Sequence, residues 1–147
     1  MARNCRFAVA VHVCTVLAMH PEKPATSEWI AGSVGTNPVV VRRILSALGK
    51  AGLVSSQRGT AGGSVLAKAA KAITLLDIHR AVDEEEGPSL HHQPPNPACP
   101  VGAHILPVLI EVITQAEAAR DRELGKVRLA DVVARVKAGA KVKLPAE

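Results

Sequence analysis

Aromatic side chains are almost absent: one Phe, one Trp and no Tyr in 147 residues. Proteins that hold single-stranded nucleic acid or RNA stack bases on aromatic faces, and two rings make no such platform. If nucleic acid is the partner, duplex DNA is the form this composition favours. Cysteine is scarce as well. Cys5, Cys14 and Cys99 are an odd number at wide, unequal spacing, which gives neither a disulfide framework nor a paired Cys-x-x-Cys zinc site. A reducing, cytoplasmic location is expected. No uninterrupted apolar run approaches the ~18 residues that a membrane span needs, so no membrane partner is expected. Arg3 and Arg6 ahead of an apolar stretch to Met19 have the charge order of a secretory leader. His12 interrupts that stretch and no small-residue cleavage site follows it, so it is read as a core helix.

Acidic residues are short in one half only. Residues 1–80 hold ten Lys/Arg against three Asp/Glu, an excess of +7, whereas residues 81–147 hold eight against ten, or −2. A basic front half joined to a near-neutral back half points to a polyanion-binding face. The length allows one core and an extension, not two full domains.

Along the chain, Asn4 is expected to cap a helix running to about Met19, closed by Pro21 and Pro24. Thr26 or Ser27 caps a short second helix that Gly35 ends. Thr36-Asn37-Pro38 starts a third, with a capping side chain and a proline at the first helical position. Val41, Ile44, Leu45 and Leu48 form its apolar stripe, opposite Val39, Arg42, Arg43 and Ser46, and Gly52 stops it. Leu53–Arg58 and Ser64–Ala67 read as strands around the glycine-rich tip Gly59-Thr60-Ala61-Gly62-Gly63. Thr74-Leu75-Leu76-Asp77 has the spacing of a capping box opening a fourth helix. Gly87 to Pro100 carries five prolines and the pair His91-His92, a loop. Beyond it a long helix to about Leu124 repeats Ile105, Leu109, Val112, Ala116 and Ala119 at spacings of 4 and 3, with Pro107 kinking its first turns. A short helix from Leu129 to Val136 and a disordered tail from Lys137 complete the chain.

The fold class is mainly α with a small β-hairpin: a winged helix-turn-helix in residues 1–83, a Pro/His-rich loop in 84–100, a dimerisation helix and a short C-terminal helix in 101–136, and a basic tail in 137–147. Each part has a role on B-DNA. A helix N-terminus in the major groove brings Asn37, Val39 and Val40 to base edges. Valines pack on thymine methyls, while Arg42 and Arg43 fork to phosphate or to guanine. Arg58, beside the hairpin glycines, suits a narrow minor groove. Cys5, Cys14 and Trp29 are read as packing residues and His12 as a satisfied core or interface histidine. No catalytic constellation is present, because the acids Asp83 to Glu86 are consecutive and point around the helix.

Arg58-Gly59-Thr60-Ala61-Gly62-Gly63, preceded by Ala51-Gly52-Leu53-Val54-Ser55-Ser56 and followed by Ile73-Thr74-Leu75-Leu76-Asp77-Ile78, resembles the Rrf2 family of bacterial transcription regulators. Thr36-Asn37-Pro38-Val39-Val40-Val41-Arg42-Arg43-Ile44-Leu45 is similar to the recognition helix of a subgroup lacking the family's three-cysteine iron–sulfur site. The similarity covers residues 4–83 closely and the long helix more loosely. It implies a homodimer on a palindromic operator, and the function expected is that of a sequence-specific DNA-binding repressor. The DNA-binding residues expected are Ser27, Thr36, Asn37, Pro38, Val39, Val40, Arg42, Arg43, Arg58 and Gly59; Ile105, Leu109, Val112 and Ala116 are expected to dimerise.

The family's three-cysteine loop here holds Cys99 alone, so no cofactor and no metal site are expected. Two alternatives stay open: a regulator sensing through Cys99, as a thiol or with His91, His92 and His104 around a metal, and a winged-helix module whose partner is another protein.

Overall fold

The computed structural model describes residues 5–83 and 88–139. Asn4, the loop residues 84–87 and the tail residues 140–147 lie outside them.

Helix α1 (Arg6–Met19) is apolar nearly all round and becomes the central packing element, burying Ala10, Val13, Cys14, Val16 and Leu17. Thr15 is buried among them, and its hydroxyl donates to the Val11 carbonyl at 2.7 Å, which removes the cost of an unpaired polar group. Cys5 occupies the N-cap position without a side-chain hydrogen bond and is exposed, so of the first two cysteines only Cys14 packs in the core.

Helix α2 (Ser27–Val34) ends on left-handed Gly35, and helix α3 (Pro38–Lys50) starts three residues later. Val41, Ile44 and Leu48 of α3 are buried and Leu45 is half-buried, the stripe that the periodicity predicts. Together with Ile30, Ile73, Ile78 and Leu129 they build the core under α1, each fully buried aliphatic side chain contributing roughly 1.5–3 kcal/mol. Trp29 is 49% exposed, not packed in the core: α2 buries Ile30 and Ala31, and its neighbour falls off that face.

Strands β1 (Val54–Gln57) and β2 (Gly63–Leu66) pair antiparallel with Gln57 opposite Gly63. The first is shorter by one residue at each end than expected, and the second is shifted by one residue toward the tip. Arg58 belongs to the tip, and Ala67 follows the ladder, donating to Leu53 at 2.9 Å. A 3₁₀ turn, Ala70–Ala72, leads to helix α4 (Leu75–Val82), whose capping box forms as expected: Asp77 N donates to Thr74 Oγ1 at 3.1 Å and Thr74 N to Asp77 Oδ2 at 2.9 Å.

Helix α5 (Pro100–Lys126) continues through Pro107 and buries none of its residues. Its far end is tied to the core. Leu75 N donates to the Val127 carbonyl at 2.9 Å, Leu129 N to the Ile73 carbonyl at 2.8 Å, and an Arg128 guanidinium N–H to the Lys71 carbonyl at 3.1 Å. By length and composition α5 could cross a membrane, which a search for uninterrupted runs passes over because Glu111 and Glu117 break the sequence without removing its average apolarity. Helix α6 (Leu129–Gly139) returns along α1 and extends through Lys137 to Gly139 instead of stopping at Val136. Lys137 in its last turn suits the negative end of the helix, and Ala138 is a strong helix former.

Candidate nucleic-acid interface

The interface residues come from two helix N-termini and the hairpin tip. At the first, Thr26 Oγ1 accepts from Trp29 N at 3.2 Å, leaving half-buried Ser27 in the first turn of α2. At the second, Asn37 Oδ1 accepts from Val39 N at 2.8 Å, with Pro38 in the first turn. Thr36 is fixed in the connection through its N–H to Ala31 O at 3.1 Å. Because Val41 and Ile44 point inward, α3 turns Val39 (46% exposed), Val40 (38%), Arg42 and Arg43 to solvent on its first turns.

The two arginines differ in surroundings. Arg42 Nη2 reaches Glu28 Oε1 at 2.5 Å, bridging α2 and α3. The Glu28 carboxyl is held below the usual carboxylate range, first by a hydrogen bond from its own backbone N–H and then by hydrogen bonding to and the charge of Arg42. Arg43 makes no ion pair or side-chain hydrogen bond with a described residue. The Glu28 partner escapes sequence reading because the two lie fourteen positions apart across a turn.

The hairpin is held at a set place relative to α3. Leu53 N donates to the Leu48 carbonyl at 3.0 Å, and Leu53 and Val54 are buried. On its other edge Ala25 and Ser64 exchange backbone hydrogen bonds of 3.0 and 2.8 Å, joining β2 to the segment before α2. Gly63 makes this approach: a Cβ there would lie 2.5 Å from the Ala25 carbonyl oxygen. Arg58 and Gly59 are exposed at the tip, and Arg58 likewise has no ion pair among the described residues. Most of the expected DNA-binding residues thus lie on exposed surfaces of α3 and the hairpin, whereas Ser27, Thr36 and Pro38 are half-buried and meet solvent only in part.

Beside the tip lies a cleft of about 360 Å³ lined by His20, Lys23, Trp29 and the tip residues Thr60, Ala61 and Gly62. The Trp29 and His20 rings meet edge-on, centroids 4.8 Å apart at 88°. His12 is exposed and shares a 3.0 Å hydrogen bond with the Ser33 hydroxyl, a surface link between α1 and α2 in place of a core position.

On α5, Ile105 and Leu109 are half-buried, Val112 is 57% exposed and Ala116 is exposed. Cys99 is exposed at the N-cap position, with no side-chain bond closing the cap. The N–H groups of Gly102 and Val101 nevertheless bias its thiol to a pKa below the ordinary value. By contrast, burial pushes Cys14 up to about 12.

The family model described as an iron-dependent transcriptional regulator, Rrf2, matches residues 3–135. YwnA of Bacillus subtilis (strain 168), named as an HTH-type transcriptional regulator, is 42% identical over 130 residues, covering 88% of this chain and 96% of YwnA. A crystal structure of a protein described as DNA-binding matches with a TM-score of 0.69 at 40% identity, covering 86% of this chain and 97% of that one. A crystal structure of a transcriptional regulator from Lactobacillus plantarum matches with a TM-score of 0.75 at 28% identity, covering 92% and 91%.

The iron in the family's description finds no donor set among the described residues. Among the described residues no three His, Cys, Asp or Glu side chains converge, and Cys99 is not assembled with His91, His92 and His104. A cluster needs about four such donors and a mononuclear iron about three, so the described residues fit neither. Family model, YwnA and the fold agree on the rest: the chain belongs to the Rrf2 family of transcriptional regulators.

Proposed function

We propose that the chain is a cytoplasmic, sequence-specific repressor that binds a palindromic operator as a homodimer, with α3 in the major groove and the hairpin tip at the minor groove. One observation carries this reading: the first turns of α3 hold Val39 and Val40 in water beside an Arg43 without an ion-pair partner among the described residues. Exposed valines on a helix N-terminus match thymine methyls, and a free guanidinium matches phosphate or guanine.

The homodimer is supported by α5. Its apolar stripe of Ile105, Leu109 and Val112 has only partial cover within one chain, and a second copy of the same helix supplies the missing face. Two-fold symmetry would then set two α3 helices about 34–36 Å apart, one turn of duplex.

The test is a binding titration with duplex fragments taken from upstream of the chain's own gene, repeated over a salt series. Phosphate contacts release counterions, so log affinity should fall linearly with log salt. Absence of binding, or affinity indifferent to salt, would favour the protein-interaction module. A second reading, in which Cys99 senses an oxidant or electrophile, is supported by its exposure and lowered pKa.

A further inference from the structure

We infer that the cleft between α2 and the hairpin tip is a second DNA-backbone site, in which Trp29 packs on a deoxyribose and Lys23 holds a phosphate flanking the bases read by α3. The inference rests on the DNA-binding reading above and adds residues to it.

Half of the only indole in the chain faces solvent, a position that loses apolar burial unless something covers it. The ring does not hang free. The Trp29 backbone N–H is tied to the Thr26 cap, and the indole and the His20 imidazole meet in a T-shaped pair with centroids 4.8 Å apart. A fixed indole offers a broad apolar face and one N–H donor, with no acceptor. That combination suits the sugar and phosphate of a nucleic-acid strand, the sugar packing on the face and a phosphate oxygen accepting from the N–H.

The walls are joined without slack, because the Ala25–Ser64 hydrogen bonds make the segment before α2 and the hairpin one piece. Thr60, Ala61 and Gly62 form one wall and follow directly on Arg58 and Gly59. A duplex that meets Arg58 therefore passes the mouth of the cleft. The charges agree: Lys23 lines the cleft and no acid among the described residues does, Glu22 sits 3.5 Å from His20 Nδ1, and Glu28 is taken up by Arg42. Continuity with the hairpin and an open, cationic rim favour a strand of duplex as the occupant over an enclosed small molecule.

Indole emission reports this site directly, since the chain has one Trp and no Tyr. The full-length wild type is titrated with a duplex that it selects from a random pool, following both Trp29 emission and bound fraction. Emission should change in step with binding. Trp29→Ala should bind roughly tenfold more weakly and Trp29→Phe should recover most of that loss, because the apolar face is kept. Lys23→Ala should lower the log–log salt slope by about one. Duplex binding with unchanged emission, together with wild-type affinity in Trp29→Ala and loss of affinity in Arg43→Ala, would overturn the cleft site and leave the proposed function standing. Failure of the wild type to select any duplex would overturn both.

Discussion

Arg42 is drawn onto Glu28 at 2.5 Å while Arg43, the next residue, has no ion-pair partner among the described residues. Two adjacent cations on one helix therefore begin from different states: one must leave a carboxylate before it can meet phosphate.

The first prediction follows from that difference. Arg43→Ala should reduce the salt slope of operator binding by about one. Glu28→Gln should raise it by up to about one, because Arg42 is then free to release a counterion of its own. Since the Glu28 carboxyl titrates below the usual range, mild acid does not free Arg42, and the slope should be flat with pH until below that range. Titrations in which both variants keep the wild-type slope would remove this face from the interface.

Arg58 is exposed on a hairpin tip away from the core. Arg58→Ala should leave the thermal unfolding midpoint unchanged and weaken operator binding roughly ten- to hundredfold. An unaltered binding curve at fixed salt would mean that the tip does not enter a groove.

The dimer should fail when its stripe is charged. Leu109 is half-buried in one chain and lies between Ile105 and Val112. Leu109→Glu places a carboxylate in the seam of two α5 helices, where an unpaired charge is strongly disfavoured. Sedimentation should show a monomer, with circular dichroism still helical; a dimer of normal affinity would place the interface elsewhere.

The three thiols should separate by reactivity. Under native conditions near neutral pH an alkylating reagent should modify Cys99 first and Cys5 next, with Cys14 protected until unfolding. The Cys14 thiol also sets an alkaline limit. Its folded pKa of about 12 lies above the ordinary value of 9.0, so the unfolded state loses its proton first. The stability that this provides is complete below pH 9 and is lost as pH rises toward 12, with a slope of about 1.4 kcal/mol per pH unit. Denaturant titrations of Cys14→Ala should lack that component. If Cys99 is a sensor, mild peroxide should alter operator binding of wild type and not of Cys99→Ser; identical responses would exclude it.

Much of this arrangement is legible in the chain itself. Asn37-Pro38, Gly35 and Thr74 with Asp77 act within a few residues, so their caps and turn follow from local stereochemistry. The glycine cluster places the hairpin for the same reason, although only the structure shows that Gly63 is needed for the approach to Ala25. What sequence hides is either distant or two-sided. Glu28 and Arg42 meet across a turn, and Trp29 and His20 meet across two elements. The exposure of Trp29 is hidden as well, because Trp29, Ile30 and Ala31 are consecutive apolar residues and only the structure shows that α2 turns the last two inward.

The hydrogen bonds from Leu75 to Val127 and from Leu129 to Ile73 have a mechanical meaning. They clamp one end of a 27-residue rod, about 40 Å long, to the core that carries α3. The clamped end is a fulcrum, and Cys99 rides the opposite tip, where any pivot sweeps the widest arc. In the proposed sensing role of Cys99, a small chemical change at that tip would act with the full length of the rod as its lever arm, and the core beneath α3 would sit where the force is delivered.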